Sequence, residues 1–318
     1  MEKIVVLDAL AIPSSYPLLS PNFEHEWVSY PVSSEDEIVS RAHDATIIAT
    51  SKCKLNASIL SKLTKLKHIA VMATGFNNVD VDYCKEHNIA LSNIQNYSTE
   101  SVAEHTLTMM LMLSRSMLDT RFAIESGAWS KSPIFFMMPA AIHDLKDKTL
   151  TVIGSGAIGS RIIEIAKVFG MKTIKAEHKN ASTIRDGYTE FFKAIESADF
   201  ISVNCPLNDS TANLFTIDEF NRVKNSAFII NNARGGVINE SDLVEALDKK
   251  LIAGAASDVV SVEPLPHDHP YTKILNRSNF ILTPHQAWCS AKSLEDLVVQ
   301  LKENMEAFYE GRSVRRIV

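Results

Sequence analysis

The sequence predicts an α/β protein of two domains, and three observations carry that prediction. Its 318 residues are about twice the usual domain length of roughly 150. Short β-rich apolar runs alternate with segments of helical spacing, the pattern of βαβ units around parallel sheets. The alternation comes in two series, one before about residue 98 and one after Lys148.

Taken in order, the first series places strands at Ile4–Leu7, Thr46–Ala49, His68–Ala73 and Ile89–Leu91, with helical spacing at Asp36–Ala42 and Ile59–Leu63. Ser98–Leu118 follows, opened by the polar Thr99, Glu100 and Ser101. It is apolar on nearly every face, so a helix buried on all sides is expected, either in the core or shared with a subunit interface. Residues 120–147 are irregular. An exposed Phe135-Phe136-Met137-Met138-Pro139 run would be a large apolar patch, so it is expected to pack on a second subunit or back on its own domain. From Lys148 come strands at Thr149–Ile153, Lys172–Ala176 and Phe200–Cys205 with helices at Ala157–Phe169 and Phe191–Ser197, and Ala227–Asn231, Asn239–Lys249, Ile252–Ser257 and Phe280–Thr283 continue the alternation. This second series reads as a doubly wound domain.

Composition narrows the function classes. With 46% apolar residues, 22% charged residues and a formal charge of −6, the chain is an ordinary globular protein. It lacks the basic run that nucleic-acid binding uses to displace phosphate counterions, so no nucleic-acid partner is expected. No stretch approaches the roughly 18 apolar residues of a membrane span, and the N-terminal run is broken by Asp8, which reads as a first strand rather than a signal peptide. Cys53, Cys84, Cys205 and Cys289 form no CxxC pair, so no metal site is indicated and a reduced, cytoplasmic setting fits. His267 and His269 lack carboxylate or cysteine partners spaced to complete a metal site.

The segment TLTVIGSGAIGSRIIEIAKV carries Gly154, Gly156 and Gly159 in the pattern GxGxxG, after an apolar strand and at the start of an amphipathic helix. In that context the first glycine makes the turn, the second admits a pyrophosphate, and the third lets helix and strand pack closely. The anion would sit at the helix N-terminus. Glu177 closes the next strand, placed to accept hydrogen bonds from the adenosine ribose and to repel the 2′-phosphate of NADP, which favours NAD. A second reading stays open: Glu177 is a solvated strand end, and Lys179 or Arg185 holds a phosphate.

Three further segments follow strands of the second series: Asn231-Asn232-Ala233-Arg234-Gly235-Gly236, Asp258 with Glu263-Pro264, and Thr283-Pro284-His285. With these the sequence resembles the D-isomer-specific 2-hydroxyacid dehydrogenase family along nearly its whole length. VMATGFNNVD (71–80), NYSTESVAEHT (96–106) and TPHQAW (283–288) look most like the hydroxypyruvate reductase/glycerate dehydrogenase branch. The resemblance implies a catalytic Arg234, Glu263 and His285. Reduction of a 2-keto acid needs a cation on the carboxylate and ketone, suited to the guanidinium of Arg234, and a proton donor, suited to the imidazole of His285. Glu263 would orient that imidazole.

The same resemblance places Thr74, Ala157, Ile158, Cys205, Asn232, Ala233, Arg234, Asp258 and His285 around the cofactor, with Asp258 reaching the nicotinamide carboxamide. It assigns Thr74, Gly75 and Phe76 to a turn that binds the substrate carboxylate through backbone N–H groups, with Lys52 near the cleft mouth. It implies a Rossmann-type NAD-binding domain over 99–288, a smaller flavodoxin-like substrate domain over 1–98 and 289–318, and a homodimer built by the helix and arm 101–145. Glu177 stands where most NAD-using relatives have Asp, and the stretch from Glu177 to Glu190 is shorter than usual, so a reduced helix is expected there. The expected activity is NAD-dependent reduction of hydroxypyruvate or glyoxylate to the 2-hydroxy acid, of D form where chiral. Its rivals are a dehydrogenase of a bulkier aliphatic 2-keto acid and a non-catalytic NAD(H)-sensing protein.

Overall fold

Two all-parallel sheets, each in its own unit of the chain, make up the computed structural model, which describes residues 1–318. One unit comprises Met1–Tyr97 with Cys289–Val318, the other Ser98–Trp288.

In the first unit β1 (Glu2–Val6), β2 (His25–Ser29), β3 (Ile47–Thr50), β4 (His68–Val71) and β5 (Ala90–Ser92) stand in the order β2-β1-β3-β4-β5. β3, β4 and β5 are buried at every residue, as strands covered on both faces must be. β2, the edge strand HEWVS, has no fully buried residue, which is why no apolar run announced it. Helix α1 (Glu35–Ala42) opens with a capping box in which Ser34 and Glu37 satisfy each other's backbone. The short helices α2 (Ala57–Leu60) and α3 (Val81–Glu86) are capped by the side chains of Asn56 and Asp80. The C-terminal helix Ala291–Tyr309 returns to this unit and packs on β4, stacking Phe308 on His68 with ring centroids 4.6 Å apart.

The second unit begins with α4 (Thr99–Ser114) and α5 (Met117–Glu125). A single helix over 98–118 is therefore not formed. The chain turns at Ser116, whose φ of 48° is left-handed and cannot continue a right-handed helix. Nor is α4 buried all round: Val102, Ala103, Thr106, Leu107, Met109, Met110 and Leu113 face the core, while Glu100, Glu104 and Thr108 are exposed.

Its sheet consists of β6 (Thr149–Ile153), β7 (Lys172–Ala176), β8 (Phe200–Val203), β9 (Phe228–Asn231), β10 (Gly254–Ser257) and β11 (Phe280–Leu282), in the order β11-β10-β9-β8-β6-β7. Beyond β7 a single parallel bridge, Ala176 to Thr189, stands where a further edge strand would pair. With it, the order on the two sides of β6 is that of a dinucleotide-binding sheet whose third strand has shrunk to one bridge. No helix forms between β7 and α7 (Phe191–Glu196), in keeping with the shortened stretch. The remaining helices are α6 (Ala157–Val168), α8 (Ile217–Phe220) and α9 (Glu240–Asp248). Adjacent residues of one strand enter different cores: Ile229 packs with Phe215 and Leu243 on one face, Ile230 with Met110 and Ile162 on the other. Both faces are thus covered, and what the sheet leaves accessible is its rim.

Candidate active site

The strand order reverses direction on either side of β6, so the loops after β6 and β8 diverge and leave a crevice at their carboxyl ends. Gly154 lies in that crevice with φ +85°, and a Cβ there would stand 2.7 Å from the carbonyl carbon of Asn204. Only glycine fits. Gly156, the N-cap of α6, has no side chain to bond the first-turn N–H groups, and no acidic residue sits in that turn. A Cβ at Gly156 would meet nothing within 4 Å. Uncapped N–H groups at Ala157 and Ile158, with open space beside them, fit the pyrophosphate of a dinucleotide. Buried Gly159 lies against the strand. Cys205, after β8, is 8% exposed, and burial pushes its thiol up to about 11, so at neutral pH it is an uncharged wall.

Glu177, the expected ribose acceptor, is already engaged within the chain. Its carboxylate accepts from Arg185 Nε at 2.8 Å and Nη2 at 2.7 Å, and from the backbone N–H groups of His178 and Arg185 at 2.8 and 3.0 Å. The side chain is 2% exposed, and the Arg185 hydrogen bonds hold its carboxyl down to about 2. Lys179, the other candidate cation, is spent on Glu219 at 2.8 Å.

Arg234 sits on the loop after β9, and its shape comes from Asn231. The Asn231 side chain accepts from the N–H of Ala233 at 3.1 Å and donates to the carbonyl of Arg234 at 3.0 Å, closing the turn from both sides. Asn232 donates to Thr106 of α4 at 2.9 Å, and its own Oδ1 is buried with no partner, as is Oδ1 of Asn204. At Gly235 a Cβ would lie 2.0 Å from the backbone of Val260, so the loops after β9 and β10 touch main chain to main chain. Arg234 is half-buried, with one guanidinium nitrogen on the Ala233 carbonyl at 2.7 Å.

His285 and Glu263 meet, Nδ1 to Oε2, at 2.7 Å. Both are partly exposed, His285 by 26% and Glu263 by 34%, so the ring is held at one nitrogen and accessible elsewhere. Asp258 is 2% exposed and accepts from Thr283 Oγ1 at 2.5 Å and from the backbone N–H groups of Gln286 and Ala287 at 2.9 and 2.8 Å. It pins the loop that carries His285. His105 of α4 reaches the same cluster, 3.1 Å from Thr283 Oγ1 and 3.8 Å from Asp258.

Arg234, Glu263, His285, Asp258, Asn232, Ala233, Cys205 and the glycine loop all lie in the second unit, on loops at the carboxyl ends of its strands. Lys52, Thr74, Gly75 and Phe76 lie in the first, after β3 and β4. There the buried Asp8 carboxylate accepts from the N–H groups of Ser51 and Lys52 at 2.9 and 2.7 Å, and Asn93 donates to the carbonyl of Thr74 at 2.7 Å. Of the residues that hold these loops, Asn231 and Thr283 stand in segments the sequence marks and Asp8 in its first apolar run, but the sequence assigned no partner to them or to His105. An asparagine or aspartate ending a strand is a turn signal, but it names no partner.

A family model described as D-isomer specific 2-hydroxyacid dehydrogenase, NAD binding domain, matches residues 107–287. A Haemophilus influenzae protein whose 2-hydroxyacid dehydrogenase name is provisional is 37% identical over 97% of this chain and 98% of its own. Glycerate dehydrogenase of Methylorubrum extorquens is 34% identical, over 98% of this chain and 97% of its own. Among solved structures, D-lactate dehydrogenase of Aquifex aeolicus, complexed with NAD and lactic acid, is 26% identical with a TM-score of 0.79, covering 98% of this chain and 96% of its own.

Proposed function

The chain belongs to the D-isomer-specific 2-hydroxyacid dehydrogenase family, and we propose that it reduces a small 2-keto acid, hydroxypyruvate or glyoxylate first, to the 2-hydroxy acid, of D form where chiral, with NAD as cofactor. The observation that carries the reading is the 2.7 Å contact of His285 with Glu263, in the same unit as Arg234 and the Gly154–Gly159 loop. Relatives named glycerate dehydrogenase, hydroxypyruvate reductase and glyoxylate reductase support the substrate class. NAD rests on the matched domain, since Glu177 is engaged by Arg185.

When bound, the nicotinamide supplies the hydride. Arg234 holds the substrate carboxylate and polarises the ketone, for which a permanent, planar charge is suited. The ring nitrogen of His285 that faces away from Glu263 delivers a proton to the ketone oxygen in reduction and takes it back in oxidation. Glu263 fixes the ring by accepting from Nδ1, and Asp258 and Asn231 keep the two loops in register. Thr74, Gly75, Phe76 and Lys52 assist in holding the substrate carboxylate. The exposed side chains of the 129–142 segment support a homodimer, and the spacing of the four cysteines, with no CxxC pair, a reducing, cytoplasmic setting.

The test is NADH oxidation with hydroxypyruvate, glyoxylate, pyruvate and 2-ketoisocaproate, for the native chain and His285→Ala. Turnover with the small acids, reduced about 10²–10⁴-fold in the variant, is expected. Preference for 2-ketoisocaproate would point to a bulkier substrate, and NADH binding without turnover to a sensor.

A further inference from the structure

The end of β7 holds an ion pair that the mechanism does not use. Glu177 is 2% exposed and has its two oxygens filled by four N–H donors of His178 and Arg185. The side chain of Arg185 is 51% exposed. Two of its five N–H groups are spent on Glu177, which leaves three to donate. Its guanidinium lies 3.9 Å from the centroid of the Tyr188 ring, and the Tyr188 hydroxyl is 2.5 Å from Oγ of Ser155, between Gly154 and Gly156. Ser155, Tyr188, Arg185 and Glu177 thus form one continuous cluster that ties the glycine loop to the strand end. Lys175 adds a second cation, 5.7 Å from the Tyr188 centroid, and His178 stands beside Glu177, its side chain 73% exposed.

The carboxylate that would repel a 2′-phosphate is therefore neutralised and hidden, and the accessible group in its place is a cation with free donors. A planar guanidinium binds phosphate oxygens through paired, charge-assisted hydrogen bonds. Resting on the cofactor reading above, we propose that Arg185 determines selectivity at the adenosine ribose: it makes the chain tolerant of the 2′-phosphate, so that NADPH binds nearly as well as NADH. Discrimination is set by the balance between Arg185 and Glu177, not by the carboxylate alone.

The experiment is equilibrium binding of NADH and NADPH to the full chain at low salt, followed by nucleotide fluorescence, for the native protein, Arg185→Gln, Glu177→Gln and the double variant, each checked for folding by thermal melting. The expected ratio of NADPH to NADH dissociation constants is below about tenfold in the native chain. Arg185→Gln, which uncovers the carboxylate and removes the cation, raises it by about tenfold or more through weaker NADPH binding. Glu177→Gln, which keeps the side chain's size and removes its charge but accepts at only one of the two positions, loosens its hold on the guanidinium and lowers the ratio, and the double variant falls between. NADH binding with the ratio unchanged in both single variants overturns the role of Arg185 alone. Binding of neither nucleotide by the native chain overturns the cofactor reading and this inference with it.

Discussion

His285 holds a backbone φ of 53°, a conformation that a non-glycine residue adopts at a cost of about 1 kcal/mol or more. Two hydrogen bonds hold it there: its N–H donates to the carbonyls of Asp258 at 2.7 Å and Thr283 at 3.0 Å. In this conformation the ring meets Glu263, whose carboxylate holds one nitrogen. Glu263→Gln preserves size and one hydrogen bond but removes the charge that faces the ring. We expect kcat for keto-acid reduction to fall about tenfold to a hundredfold with KM little changed, because the substrate contact of Arg234 is untouched. Steady-state kinetics with hydroxypyruvate check this, and an equal loss confined to KM would remove Glu263 from the positioning role.

Elements that bury both faces were legible as apolar runs, whereas the half-buried edge strand β2 was not. β3, β4, β6, β8 and β9 follow from runs such as Ile47–Thr50 and Phe228–Asn231, whereas β2 and the short α8 depend on neighbours for their stability. β4 also carries a polar group that no pattern flagged. His68, at the start of the strand, is 1% exposed, bonded through Nε2 to Ser92 at 2.8 Å, with Nδ1 unpartnered. Burial, with Arg316 nearby, pushes its imidazole down to about 3. The native strand therefore keeps it neutral, while the unfolded chain takes up a proton below about 6.5. Protons bound to the unfolded state favour it, so this group costs stability progressively as pH falls from about 6.5 toward 3. In urea titrations, native stability should drop about 1 kcal/mol more per pH unit between 6 and 4 than that of His68→Gln. Parallel pH profiles for the two would contradict a buried neutral imidazole.

At the scale of the molecule, the segment after α5 is the least explained by its own chain. Phe135 is 89% exposed, Met138 62%, Ile134 54% and Phe136 54%, and α5 has no buried residue. Of the two readings open from sequence, packing back on its own domain is not what the structure has. A contiguous apolar surface of this kind calls for a covering partner, and the proposed second copy supplies it. The double substitution Phe135→Ser, Met138→Ser should lower the sedimentation mass from dimer to monomer at micromolar concentration while leaving the circular dichroism of each unit unchanged. A native chain that sediments as a monomer would remove the dimer from the proposal.

What the sequence determined by itself is the family, the two parallel α/β units and the loops that carry the candidate site residues. Those features are written locally: glycines where the backbone needs positive φ or close approach, apolar runs where a strand is covered on both faces, and polar residues just past strand ends. What only the tertiary structure decided is which partner each charged side chain takes. For Glu177 the sequence offered the ribose or solvent, and the structure pairs it with Arg185, on the stretch that bridges back to β7 through Ala176 and Thr189. Asp258, for which the sequence named no partner within the chain, has both oxygens on the His285 loop. Long polar side chains reach many donors at small energetic differences, and only the three-dimensional arrangement of those donors selects one.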